Sequence, residues 1–202
     1  MTQAVRELVV AALATEFQAF EASLQSCPAE GFAERPSYGH TVAWHALHVM
    51  DWTRCMIQPG LTGVNPALTY GYLGFESEPW AQAVSGPTLA SEKDNKDIIL
   101  AAVQYTFAEA LTALHGAPDE RFDSDAIWTA IKKPRPVLES LMYHVAHTAY
   151  HRGQVRQVIN QVDAPAFQMK TPEKFLYNGR GSRIRIEGGL STAEIISEGR
   201  DR

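Results

Sequence analysis

Only two cysteines, Cys27 and Cys55, occur in 202 residues. That is too few for a disulfide framework and suits a reducing, cytoplasmic setting. Positive charge is also scarce: 18 lysines and arginines against 23 acidic residues leave a net charge of −5. This argues against a protein built to grip phosphate backbones, so no nucleic-acid partner is expected. No uninterrupted apolar run approaches the ~20 residues of a membrane span, and no membrane partner is expected. The opening MTQAVRELVV has no small-residue cleavage pattern and reads as an amphipathic helix rather than a signal peptide. Internal repeats and low-complexity tracts are missing too. What remains, 45% apolar and 20% charged, is the composition of a globular chain able to build a sizeable core.

Hydrophobic spacing divides the chain into helices. Leu13, Phe17, Phe20 and Leu24 follow a 3.6-residue period and predict a first helix over 3–25. A second runs from about Gly39 to Ile57 and stops before Pro59-Gly60. Residues 58–90 hold five glycines and four prolines interleaved with Tyr70, Tyr72, Phe75 and Trp80. So long an irregular segment is either a packed surface loop or an aromatic lid over a pocket. A third helix starts near Ser91, where Ser91–Asp94 resembles a capping box, and ends at Gly116. A polar connection over 117–134 contains the short apolar piece Ala126-Ile127-Trp128. Pro136 suits the first position of a fourth helix that continues to about Val162. Beyond it, 183–186 alternates like a strand and 191–198 suits a short helix. The expected architecture is all-α: a four-helix bundle over 1–162, with a long connection between its second and third helices and an irregular C-terminal extension over 163–202.

Three of the seven histidines fall within eight residues of the last helix: His144, His147 and His151. His147 and His151, four apart, share a face one turn apart, and His144 lies within about 60° of both. Their side of the helix also carries Leu141, Thr148, Val155, Val158 and Ile159, so the imidazoles point into apolar surroundings. Each buried ring has two nitrogens to satisfy, and an unpaired one costs on the order of 1–3 kcal/mol. A shared divalent cation satisfies several at once, and His-xxx-His on a helix is a ligand spacing. The third ligand has to come from elsewhere. The second helix offers His48, central in a stripe with Thr41, Trp44, Trp52 and Cys55, and His45 on its flank. Asp51 is either an acceptor for an imidazole N–H or a surface carboxylate, and Cys55 reads as core. Arg152 and Gln154 either anchor the helix or face a bound anion.

The string His147-xxx-His151-Arg152-Gly153-Gln154, together with Thr41 to Asp51 around His48, resembles the DinB/YfiT-like superfamily of four-helix metalloproteins. The resemblance implies that His48, His147 and His151 hold a divalent metal, zinc or nickel, with its other positions left to water or substrate. His45 and His144 are histidines beyond that pattern and stand as additional ligands or supporting groups. Characterised relatives include low-molecular-weight thiol S-transferases and a thiol-dependent isomerase.

These readings lead to an expected metal-dependent enzyme that transfers a small-molecule thiol to an electrophile. A metal-dependent hydrolase and a non-catalytic metal- or ligand-binding bundle are the alternatives. A hydrolase needs a general base, and no glutamate sits beside the histidines as in HExxH. A homodimer is expected as well. Tyr143, Tyr150 and Gln157 recur every seven residues on a face expected to lie opposite the histidines, and tyrosine is enriched at subunit interfaces. The alternative cover for that face is the C-terminal extension, through Phe167, Phe175 or Leu176.

Overall fold

The computed structural model describes residues 2–131 and 133–163. The C-terminal extension and the expected elements at 183–186 and 191–198 lie outside the described residues. The elements are helices α1 (Thr2–Ser26), α2 (Val42–Met56), a short α3 (Pro79–Gln82), α4 (Lys96–Gly116) and α5 (Val137–Asp163), and strands β1 (Ile127–Ile131) and β2 (Lys133–Pro136). The four long helices form the bundle. α1 packs on α4 and α5, and α2 packs on the same two, so α1 and α2 sit on opposite corners. Sequence-distant α2 and α5 are thereby neighbours, which is what the site requires.

The apolar stripes read from the sequence are the ones that are buried. Leu13, Phe17, Phe20 and Leu24 of α1 meet Ile99, Val103, Phe107 and Leu114 of α4 in one core. Phe17 stacks on Phe107 at 3.9 Å between ring centroids, and Phe20 tilts against the same ring at 6.3 Å. α4 is long and apolar enough by length and composition to cross a membrane, yet its apolar stripe is the one the bundle buries.

Three helix starts differ from the sequence reading, each for a local reason. α2 begins at Val42 because Gly39 has φ +89°, a left-handed conformation that no helix continues. The hydroxyl of Thr41 caps it by accepting from the Trp44 amide. α4 begins at Lys96, capped by the Asn95 side chain, which accepts from the Ile98 amide. Ser91 to Asp94 is a turn before it, closed by the Ser91 amide donating to the Asp94 carboxylate. Pro136 ends β2 rather than opening the last helix, since it pairs with Ile127 and Arg135 pairs with Trp128 in an antiparallel hairpin. The apolar piece Ala126-Ile127-Trp128 thus feeds strand β1. The indole of Trp128 is buried and donates to the Ser140 hydroxyl in the first turn of α5.

The connection over 58–90 is a packed loop. It holds a 3-10 turn at Pro59–Leu61, the single turn of α3, and a bridge between Tyr70 and Ser85. Tyr70 is fully buried and Tyr72 half-buried, while Phe75 stays 48% exposed.

Phe107→Ala removes the ring that both α1 phenylalanines contact. It is expected to lower unfolding stability by about 3–5 kcal/mol, read as a shift of the urea midpoint at unchanged slope.

Candidate metal centre

The centre forms where α2 faces α5. His48 is buried on α2, and His147 and His151 lie one turn apart on α5. The Nε2 atoms of His48 and His147 are 3.2 Å apart, and those of His147 and His151 are 3.1 Å apart. One nitrogen from each of the three rings lies within 4.8 Å of the other two. The three residues that the resemblance assigns as ligands are therefore brought together.

Protons alone do not satisfy this geometry. A neutral imidazole Nε2 carries either a proton or a lone pair. His147 Nε2 faces two other Nε2 atoms and can donate to only one of them. A cation with ligand bonds of ~2.0–2.2 Å would set its nitrogens roughly 3–3.5 Å apart, and that is the spacing present. The donor set suits a divalent ion: three imidazoles, with no carboxylate or thiolate in the cluster among the described residues.

Burial keeps the rings neutral. It pushes the His48 imidazolium down to about 3, His147 to about 4 and His151 to about 2, and neighbouring imidazoles add to the effect at His48 and His151. His45 and His144 are lowered to about 4 and about 3, again chiefly by burial. All five rings are therefore uncharged at neutral pH, each with one unprotonated nitrogen, the form a metal needs of its ligands.

The surroundings hold each ring in place. Trp44 stacks on His48 with ring centroids 4.4 Å apart. His48 Nδ1–H donates to the Tyr72 carbonyl at 2.6 Å, which leaves Nε2 unprotonated. Gly74, at φ +77°, brings the same loop past the His48 ring. Asp51 accepts no imidazole N–H. Its fully buried carboxylate accepts from Arg54 (2.8 Å), from the Thr88 hydroxyl and from the amides of Gly71 (2.8 Å) and Tyr72 (3.1 Å). It acts on His48 only by pinning the loop whose carbonyl His48 uses.

The other candidates have separate places. His144 points to Thr53, whose hydroxyl donates to the Val49 carbonyl and so accepts from His144 Nε2–H, both at 2.8 Å. His45 sits behind His151, with their Nδ1 atoms 3.0 Å apart. Cys55 is buried core, its thiol pushed up to about 12 by burial, which makes it inert. Arg152 anchors α5 by a forked pair with Glu16 of α1, 2.5 and 3.2 Å long.

Tyr143 and Tyr150 are not across the helix from the histidines. Tyr143 stacks near His147 at 6.2 Å, and Tyr150 meets His151 edge-on at 5.2 Å. With Ala146 and the two histidines they line a surface hollow of about 340 Å³. On the other flank Trp52 lies 6.0 Å from His147 and 6.1 Å from Phe75, so the loop contributes one ring to the rim, short of a lid. The Tyr72 carbonyl was beyond sequence reasoning because a backbone group leaves no mark in composition. Its neighbour Asp51 was the available signal.

Buried neutral imidazoles make the metal-free protein sensitive to acid. The unfolded chain binds more protons wherever pH lies between the lowered folded pKa values and the ordinary ~6.5, so stability rises with pH across that window. It is fully present above pH ~6.5 and is lost as pH falls towards the folded values. His144 alone accounts for about 2 kcal/mol between pH 7.5 and pH 5. Urea unfolding of metal-free protein at the two values measures it, and a flat profile counts against buried neutral rings.

A comparison with curated proteins and one with solved structures find no match. A family model, that of the DinB superfamily, matches residues 12–155. The match spans well over half of the chain and takes in α2, α4 and the stretch of α5 that carries His147 and His151. The chain is a member of the DinB superfamily.

Proposed function

We propose that the protein is a divalent-metal-dependent enzyme that transfers a low-molecular-weight thiol to an electrophilic small molecule, with His48, His147 and His151 as the metal ligands and zinc or nickel as the ion. The observation that carries this reading is the convergence of three neutral Nε2 atoms beside the hollow lined by Tyr143, Ala146 and Tyr150. Three uncharged ligands leave a divalent ion its full charge and open positions. When bound, such an ion acidifies a coordinating thiol so that it is nucleophilic near neutral pH.

The protein's own residues supply position and exclusion. The three imidazoles fix where the sulfur sits, while the hollow between the tyrosines receives the rest of the substrate. In the transfer, the sulfur–carbon bond forms as the bond from that carbon to its leaving group breaks. The leaving group departs with the proton the thiol gave up. Hydrolysis is less well served, because the nearby carboxylate on α2, Asp51, is buried and committed to Arg54, Thr88 and two amides. It has no free lone pair to serve as a general base beside the cluster.

The test starts with elemental analysis of the purified protein, followed by a conjugation screen of small thiols against electrophiles with metal-loaded and metal-free protein. His151→Ala is expected to abolish metal uptake and conjugation together, with helical circular dichroism unchanged. Conjugation that persists in metal-free protein overturns the proposal.

A further inference from the structure

We propose that His45 is a positioning residue for the metal centre: its Nδ1 accepts the Nδ1–H of His151 and so fixes the tautomer and ring plane of that ligand. The inference rests on the metal-centre reading and is independent of thiol transfer.

The argument begins with proton counting. His45 Nδ1 and His151 Nδ1 are 3.0 Å apart, so one proton lies between them, and it belongs to one ring or the other. Both rings are buried, 4% and 7% exposed, so solvent does not take over either role. If His45 donates, the single proton of neutral His151 has to sit on Nε2. That proton would then point at His147 Nε2, 3.1 Å away, and occupy the lone pair a metal requires. If His151 donates, its Nε2 is free and His45 carries its own proton on Nε2. Only the second arrangement is competent to bind a cation.

The two α2 histidines therefore divide the work. His48 is a ligand whose tautomer is imposed by the Tyr72 carbonyl, a group that can only accept. His45, one turn earlier on the same helix, supports a ligand from the other helix. Because an imidazole can donate or accept, the tautomer of His151 is conditional, and cation binding selects it. The ring of His45 is held for this by Trp44, edge-on at 5.4 Å with an 83° interplanar angle. Groups that support metal-bound histidines are usually carboxylates, carbonyls or water. A neutral imidazole in that place adds no negative charge behind the ligand.

The experiment compares wild type, His45→Leu and His45→Asn. Asparagine places an amide oxygen near the position of Nδ1 and keeps an acceptor, whereas leucine removes it. Zinc affinity, measured by chelator competition, is expected to fall about 10–100-fold in His45→Leu and to recover most of the loss in His45→Asn. Nitrogen-15 imidazole spectra of the zinc-loaded wild type provide a second readout that needs no variant to fold. They are expected to show His151 protonated on Nδ1 and His45 protonated on Nε2. Equal zinc affinity in wild type and His45→Leu overturns the role of His45 alone. So does a spectrum in which His45 is protonated on Nδ1 or is itself a ligand. A wild-type chain that binds no zinc, nickel or cobalt overturns the metal centre and the assignment of His45 with it.

Discussion

A buried imidazole has two ring nitrogens to be matched, and that constraint shapes the seam between α2 and α5, although His144 Nδ1 stays buried there with no partner among the described residues. Five rings lie there: His45 and His48 from one helix, His144, His147 and His151 from the other. One is met by a hydroxyl, one by a carbonyl, and the remaining contacts are nitrogen to nitrogen. The last kind concentrates lone pairs in one place, and a cation resolves it. The bundle order makes this possible. α1 and α4 supply the phenylalanine core, while α2 and α5 are left to meet along their histidine stripes.

The polar groups behind the cluster are graded in distance. Tyr72 reaches His48 by its carbonyl. Asp51 reaches Tyr72 by its amide, and Arg54 and Thr88 complete the carboxylate's shell. The fully buried carboxylate of Asp51 has four donors around its two oxygens, one of them a guanidinium. The forked Arg152–Glu16 pair does comparable mechanical work next to His151, tying α5 to α1 one residue beyond the ligand. Rigid support of this kind holds converging ligands within a few tenths of an ångström.

Much of this was legible in the sequence because it depends on short-range periodicity. The four helices follow from stripes such as Leu13-Phe17-Phe20-Leu24, and the α5 pair from a spacing of four. The misplaced helix starts involve choices that local chemistry leaves open. Ser91 and Asn95 are both acceptable caps, and Pro136 suits a helix start as well as a hairpin end. Pairing of Trp128 with Arg135 decided the latter, and such pairing leaves only a weak trace in composition. Placing the tyrosines opposite the histidines fails on spacing alone, because Tyr143 precedes His147 by four residues, the same separation that puts His147 and His151 on one face. α5 buries Leu141, His144, Thr148 and Val155, so His147 lies at the border of the buried face with Tyr143 and Tyr150 just outside it. The place of His45 depends on how closely two helices approach, which no single helix encodes.

The Asp51–Tyr72–His48 chain makes the connection between α2 and α4 part of the centre's thermodynamics. Coupling between two binding events is reciprocal. If a docked loop tightens a cation on His48 by some factor, the cation tightens the docking of the loop by the same factor. The 39 residues between α2 and α4, 57–95, are then more than a tether. They are the part of the molecule through which occupancy at the histidines is felt at the surface, where Phe75 stands exposed on the rim.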